Sequence, residues 1–288
     1  MKTPQKIRVA IAQTNCILAD LDKNLEKHYQ LIEQAVADKC DLVQFPELSL
    51  TGYSLKDAVF DVALSDTDSK WDKLKQLSKH ISIVVGGVEL DKRFEIYNTQ
   101  FFFENGSLLT KHRKVYLPTY GLFEEKRYFS AGNRFRAFDS KLGRFGILVC
   151  EDMWHPSSGL ILAQDGASLL LVSTASVSRG MNEEPRPENV QDWEALNRAL
   201  SLHTTSFMLF ANRVGVEDGL IFWGGSEVID PYGRLLSKAA YYEEELLICE
   251  IDLLKLKHAR INTTLISDEK LTVVIDELSR IRTDRNNY

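Results

Sequence analysis

Cysteine is scarce in this sequence, four in 288 residues, and no two form a Cys-x-x-Cys pair or stand with histidines at zinc-ligand spacing. A disulfide scaffold and a structural zinc site are thereby excluded as organising principles. Cys16, Cys40 and Cys249 read as small buried apolar residues of a reducing compartment. No apolar run approaches the roughly 18 residues that a membrane helix needs. The stretch 7–12 is too short for a signal-peptide core and is ended by Gln13, Thr14 and Asn15, so the expectation is a cytoplasmic protein with no membrane association. Positive charge is not in excess either. The 35 Lys and Arg against 41 Asp and Glu give a net charge of −6, which argues against nucleic acid as a partner. Gly/Ser-rich linkers, low-complexity segments and tandem repeats are also missing, and one domain over residues 1–288 is the simplest organisation.

What is present is an ordinary hydrophobic share, 44%, arranged as short apolar runs that alternate with helical periodicity. Residues 7–12, 42–45 and 81–88 predict buried strands, and 96–103 followed by Asn105-Gly106 predicts a hairpin. Between them, Asp22 or Asn24 is placed to cap a helix running to about Lys39, with Leu25, Tyr29, Ile32, Ala35 and Val36 on one face. Helical spacing returns over 69–80. The second half repeats the pattern: a strand at 145–149 leading into Cys150, a helix at 156–164, a strand at 168–173 and a helix at 193–205. Strands follow at 207–213, 226–230 and 246–251, with a Pro231-Tyr232-Gly233 turn. The tail from Asp268 reads as a charged helix ending in a polar stub, 282–288. Residues 178–191, with two prolines and a glycine, read as the freest loop. Strands alternating with helices predict an α/β layered fold.

Three places set a reactive side chain at a strand end, where a rigid backbone meets a cleft. Glu47 follows the strand and Pro46; a glutamate there is ordinarily solvated, and a buried base is the alternative. Lys111-His112-Arg113-Lys114 would ordinarily be a solvated cationic patch. The apolar and aromatic residues interleaved after it, Val115 to Leu122, leave room for one cation to point inward. Cys150 stands where an apolar strand breaks into Glu151-Asp152. Alone it would be a core cysteine; as a nucleophile it would draw thiolate stabilisation and oxyanion-binding N–H groups from a following helix start. No histidine is near it in sequence, so a Cys–His pairing is not visible.

Taken in order, FPELSLTGY (45–53), HRKVYLP (112–118), EEKRYFSAG (124–132) and GILVCEDMW (146–154) resemble the nitrilase superfamily of carbon–nitrogen hydrolases. The resemblance covers essentially the whole chain. It implies a four-layer α-β-β-α sandwich of the nitrilase type, with Glu47 as general base, Lys114 as the cation, Cys150 as nucleophile and Glu125 as an auxiliary glutamate. It further implies the backbone N–H of Glu151 as oxyanion donor, Tyr120, Trp154 and Ser173 as pocket lining, and no metal or organic cofactor. The implied substrates are small primary amides such as glutamine, N-carbamoyl compounds or nitriles. The implied assembly is a homodimer or larger homo-oligomer, with the helical tail as a candidate contact. LPTYGLFEEKRYF and CEDMW look most like the glutamine-hydrolysing domain of glutamine-dependent NAD synthetases, which makes a separate synthetase a candidate partner. The sequence has no G-x-x-x-x-G-K-[ST] loop of its own for the ATP-using step. The stretch 173–187, STASVSRGMNEEPRP, departs from the Ser-Pro-x-x-x-Gly-Lys type of segment those glutaminase domains tend to carry.

Overall fold

The apolar runs of the first half assemble into one sheet. In the computed structural model, which describes residues 4–179 and 187–285, it comprises β1 (Lys6–Gln13), β2 (Leu42–Gln44), β3 (Ser82–Leu90), β4 (Ile96–Glu104) and β5 (Ser107–Arg113), closed at the other edge by the last strand, β14 (Glu245–Asp252), in the order β14-β1-β2-β3-β4-β5. The second sheet holds β6 (Phe138–Ser140), β7 (Gly143–Val149), β8 (Leu169–Thr174), β9 (Phe207–Asn212), β12 (Glu227–Ile229) and β13 (Leu235–Lys238), in the order β13-β12-β9-β8-β7-β6. A separate hairpin pairs β10 (Val214–Glu217) with β11 (Leu220–Trp223). Each large sheet has three central parallel strands flanked by antiparallel ones. The carboxyl ends of β2, β7 and β8 therefore meet at one end of the stack.

Side-chain alternation along β4 shows how the layers bond. Phe101 and Phe103 pack with Leu25 and Ile32 of α1 (Leu21–Ala37) outside the first sheet, whereas Phe102 faces inward and packs edge-on to Phe145 of β7, with ring centroids 6.3 Å apart. Two short helices, α2 (Val59–Val62) and α3 (Asp72–Leu77), follow on the first half, and α4 (Glu125–Tyr128) lies near the carboxyl ends of the strands. The outer face of the second sheet is covered by α5 (Pro156–Gln164) and α6 (Glu188–Thr204), whose Leu162, Val190 and Trp193 join the inter-sheet core cluster. The result is the four-layer α-β-β-α sandwich. Beyond it run α7 (Leu254–Asn262), α8 (Leu265–Asp268) and α9 (Leu271–Arg285), the last without a buried residue. Among the described residues no helix is long and apolar enough to cross a membrane.

Several expectations are corrected. The cap of α1 is Asp20, whose carboxylate accepts from Lys23 N–H, and not Asp22 or Asn24. Asn24 instead turns inward and bonds Ile17 and Leu50 backbone groups. Helix α6 begins at Glu188, five residues before the periodicity predicted, because Pro187 supplies a preset backbone angle ahead of the first turn. The 178–191 loop is thus partly helix; its residues 180–186 lie outside the described residues, as do 286–288 of the stub, while 282–285 continue α9. The β10–β11 hairpin was not anticipated, although Asp218-Gly219 is a hairpin signal; both residues take positive φ, 49° and 79°. The predicted Asn105-Gly106 turn forms in the same way, with φ 52° and 82°.

Candidate active site

Strand alternation sorts the cationic run. On β5 and the residue after it, Lys111 and Arg113 point outward to the buried carboxylate of Glu89, while His112 and Lys114 point between the sheets. Lys114 is completely buried, so its ammonium must be paired. Its Nζ donates to Glu47 Oε1 at 2.8 Å and to Glu125 Oε1 at 2.7 Å. Glu47 is buried just past β2. Its Oε1 also accepts from Asn98 Nδ2 at 2.8 Å, and its Oε2 from the Ala175 backbone N–H, just past β8, at 2.8 Å. His28 of α1 braces this loop, stacking on Phe45 with centroids 4.0 Å apart and bonding Ser49 Oγ at 2.9 Å. Burial pushes its pKa down to about 4, so the brace is a neutral ring.

Cys150 stands directly after β7 with φ +48°, a left-handed conformation that costs a non-glycine residue about 1–3 kcal/mol. The strain is held by Asp152, whose carboxylate accepts from Val149 N–H at 3.1 Å and from Val115 and Tyr116 N–H at 3.0 Å each, tying the cysteine turn to the residues that follow Lys114. Only a 3-10 turn, Cys150–Trp154, follows. The expected thiolate stabilisation is therefore corrected. Burial and then the charge of Glu47 push the Cys150 thiol well above its ordinary range, against the pull of Lys114. The resting sulfur is a protonated thiol. Burial would by itself pull Lys114 down, but Glu125 and Glu47 outweigh it and keep it a cation. Burial raises Glu125 to about 7, against Lys114. Glu125 Oε1 also accepts from Tyr53 OH at 2.6 Å, whereas its buried Oε2 has no partner among the described residues.

Beside Cys150 opens a cavity of about 320 Å³. Tyr120 and Trp154 line it, and so does Glu151, whose Oε2 accepts from Tyr120 OH at 2.9 Å. Ser173 does not line it. It is sealed between the sheets, where its Oγ donates to Phe45 O and accepts from Gln44 Nε2, both at 3.0 Å. It sits on β8 opposite Val149, one strand in from the cavity wall. Sequence reasoning did not single out Phe123, Ser176, Arg179 and the helix residues Glu188, Asn189 and Asp192, which complete the wall. The Arg179 guanidinium lies 4.5 Å from the centre of the Phe123 ring and 5.4 Å from that of Tyr120. Asn98 and Tyr53 were also missed. Tyr53 ends the FPELSLTGY segment, whereas nothing local in the strand 96–103 marks Asn98.

Two stacked sheets with helices outside both, and strand ends converging on a buried polar cluster, define a class of protein: the α-β-β-α sandwich of the nitrilase superfamily. The chain belongs to the carbon–nitrogen hydrolase family, whose profile matches residues 8–261, and is a hydrolase acting on carbon–nitrogen bonds. It is 30% identical over 254 residues to a glutamine-dependent NAD(+) synthetase of Thermotoga maritima, covering 86% of this chain and 42% of that protein. It is also 30% identical over 262 residues to a nitrilase of Pyrococcus abyssi, covering 89% and 94%. The crystal structure of a carbon-nitrogen hydrolase from Helicobacter pylori superposes with a TM-score of 0.84 at 26% identity, over 95% of this chain and 98% of that one. The chain thus spans less than half the length of the synthetase relative.

Proposed function

We propose that this chain is a cysteine-dependent amidohydrolase that releases ammonia from a small amide through a thioester on Cys150. The observation that carries the reading is the buried Lys114 ammonium held between Glu47 and Glu125 beside a strained, protonated cysteine. A carboxylate has about four lone-pair sites. Three on Glu47 are taken, which leaves one on Oε2 for the thiol proton. As Glu47 takes that proton, Sγ adds to the carbonyl carbon. The developing oxyanion meets the third N–H of Lys114 and the N–H of Glu151, which stands in a first helical turn where N–H groups lack helical partners. Each such donor contributes about 3 kcal/mol. Glu47 then gives its proton to the nitrogen, the C–N bond breaks, and ammonia leaves the acyl thioester. Water, deprotonated by Glu47, attacks the thioester; the C–S bond breaks and Sγ recovers its proton. Because Glu125 Oε1 already accepts two hydrogen bonds, the proton that Glu125 takes up below about pH 7 belongs on Oε2.

No step draws on a metal or organic cofactor, and the thiol must stay free, which fits the reducing cytoplasm; all four cysteines are unpaired. We place residues 1–288 in a single carbon–nitrogen hydrolase domain. An ammonia-release screen over amides, carbamoyl compounds and nitriles, run on wild type and Cys150→Ala, tests the reading. Release that persists undiminished in Cys150→Ala rejects it. A second reading is favoured by the synthetase relatives, of which the chain matches less than half: a glutaminase that supplies ammonia to a synthetase, on a separate chain or fused to this one. It predicts glutamine hydrolysis that rises when the partner synthetase is added. For assembly we propose a homodimer or larger homo-oligomer through α9, where Leu271, Val273, Ile275 and Leu278 are exposed.

A further inference from the structure

A cavity of about 460 Å³ lies on the other side of the cysteine turn, where the edge strands of the two sheets, β5 and β6, face each other. Its walls are residues 110–113 of β5, the strap 132–138 and Ile147 of β7. The strap is fixed against β5: Gly132 N–H donates to Lys114 O at 2.7 Å, and a Cβ on Gly132 would stand 2.2 Å from Arg113 O. No acidic residue lines this cavity. Arg134 and Arg136, two apart on the strap, are exposed and make no hydrogen bond among the described residues, although Asp165, which accepts from Ala137 N–H at 2.8 Å, is within electrostatic reach of Arg136. Lys111 and Arg113 turn their charges away to Asp66, Glu89 and Asp91. His112 forms the floor. Its Nε2 bonds Asp152 Oδ2 at 2.8 Å, its ring stacks on Phe135, and its Nδ1 makes no hydrogen bond among the described residues.

We propose that this cleft binds a small oxyanion of at least two negative charges, and that His112 and Asp152 carry its occupancy to the turn holding Cys150. Guanidinium groups offer forked donors that match phosphate and carboxylate oxygens. A carboxylate bonded to Nε2 keeps the proton there, which leaves Nδ1 a bare lone pair in the neutral ring. An anion at Nδ1 is held only where that nitrogen carries its N–H, so occupancy alters the Nε2–Asp152 bond. The charged groups around the cleft are Asp152 from the cysteine turn, Arg134 and Arg136 from the strap with Asp165 near them, and the outward-turned Lys111 and Arg113 on the strand of His112. Asp152 Oδ2 also accepts from Val149 N–H at 3.1 Å, so that change reaches the turn holding Cys150.

Inorganic pyrophosphate and citrate, titrated calorimetrically into wild type at about 0.15 M salt, where weak surface attraction is screened, separate a phosphate from a carboxylate preference. The expected result is saturable binding of at least one of them, weakened about tenfold or more in Arg134→Ala/Arg136→Ala and unchanged in the control Arg280→Ala/Arg282→Ala on α9. No binding, or equal binding in the cleft variant, overturns the site. Iodoacetamide labelling of Cys150, followed by peptide mass spectrometry, reads the coupling without needing turnover. The bound anion should change the labelling rate about twofold or more in wild type and leave it unchanged in His112→Asn. An unaltered rate in wild type overturns the coupling. Neither readout depends on the amidase reading.

Discussion

Lys114 keeps its charge in the interior because two carboxylates outweigh its desolvation, and that balance fixes what each neighbour can do. Removing the ammonium leaves Glu47 and Glu125 facing each other without a counter-charge. Lys114→Ala should therefore lose about 3–5 kcal/mol of stability in urea unfolding, the cost of breaking a buried ion pair, along with most turnover. Loss of turnover at full stability would mean that the pair is not buried as described. Glu125 supplies a pH signature. Burial raises its folded pKa from 4.5 to about 7. Between those values the folded state holds a proton that the unfolded chain has released, so this group costs stability as pH rises through the window. The Tm of Glu125→Gln relative to wild type should thus be more favourable at pH 8 than at pH 4.5. A flat or reversed difference contradicts a protonated Glu125.

At the level of the element, the site depends on β4 and β5 keeping their register, since a slip by one residue would turn His112 and Lys114 outward. The Asn105-Gly106 turn, with two left-handed residues, starts that pairing, and a bulge opposite Phe102 and Phe103 shifts it to the register that holds at His112. Gly106→Ala places a Cβ where φ is +82° and should cost about 1 kcal/mol in chemical denaturation. Phe102→Ala, which empties a site between the sheets, should cost about 3–5 kcal/mol. Both strands and their turn were legible, because apolar runs and Asn-Gly are local signals. The residues by themselves leave the inward cation open and the resemblance alone singles out Lys114, yet period-two alternation along 111–114 separates His112 and Lys114 from Lys111 and Arg113. Asp218-Gly219 was an equally local signal that was passed over. What could not be read locally was anything decided by another layer. Asn24 loses the cap because it is drawn inward to Leu50, and Ser173 is sealed because the first sheet covers it. The Cys150 thiol goes up rather than down because burial and Glu47, from distant strands, dominate.

Across the whole molecule, two sheets lock together through a shared apolar core and through cross-sheet bonds such as Gln44 Nε2 to Val172 O at 2.9 Å, and the loops at one end carry the polar cluster. The last helix, α9, buries no residue and leaves Leu271, Val273, Ile275 and Leu278 bare. If a second copy covers them, Ile275→Glu/Leu278→Glu should shift the mass by multi-angle light scattering from oligomer to monomer while the circular dichroism of the sandwich persists; an unchanged oligomer would place the contact elsewhere. The central claim, that Cys150 forms an acyl thioester, has a direct test in intact-protein mass spectrometry after rapid acid quench during turnover of an amide found by the ammonia screen. The account predicts a mass increase equal to the acyl group, mapped to Cys150 and absent from Cys150→Ala, with one ammonia released per adduct formed. Turnover with no adduct at any quench time, or an adduct that survives Cys150→Ala, would contradict it.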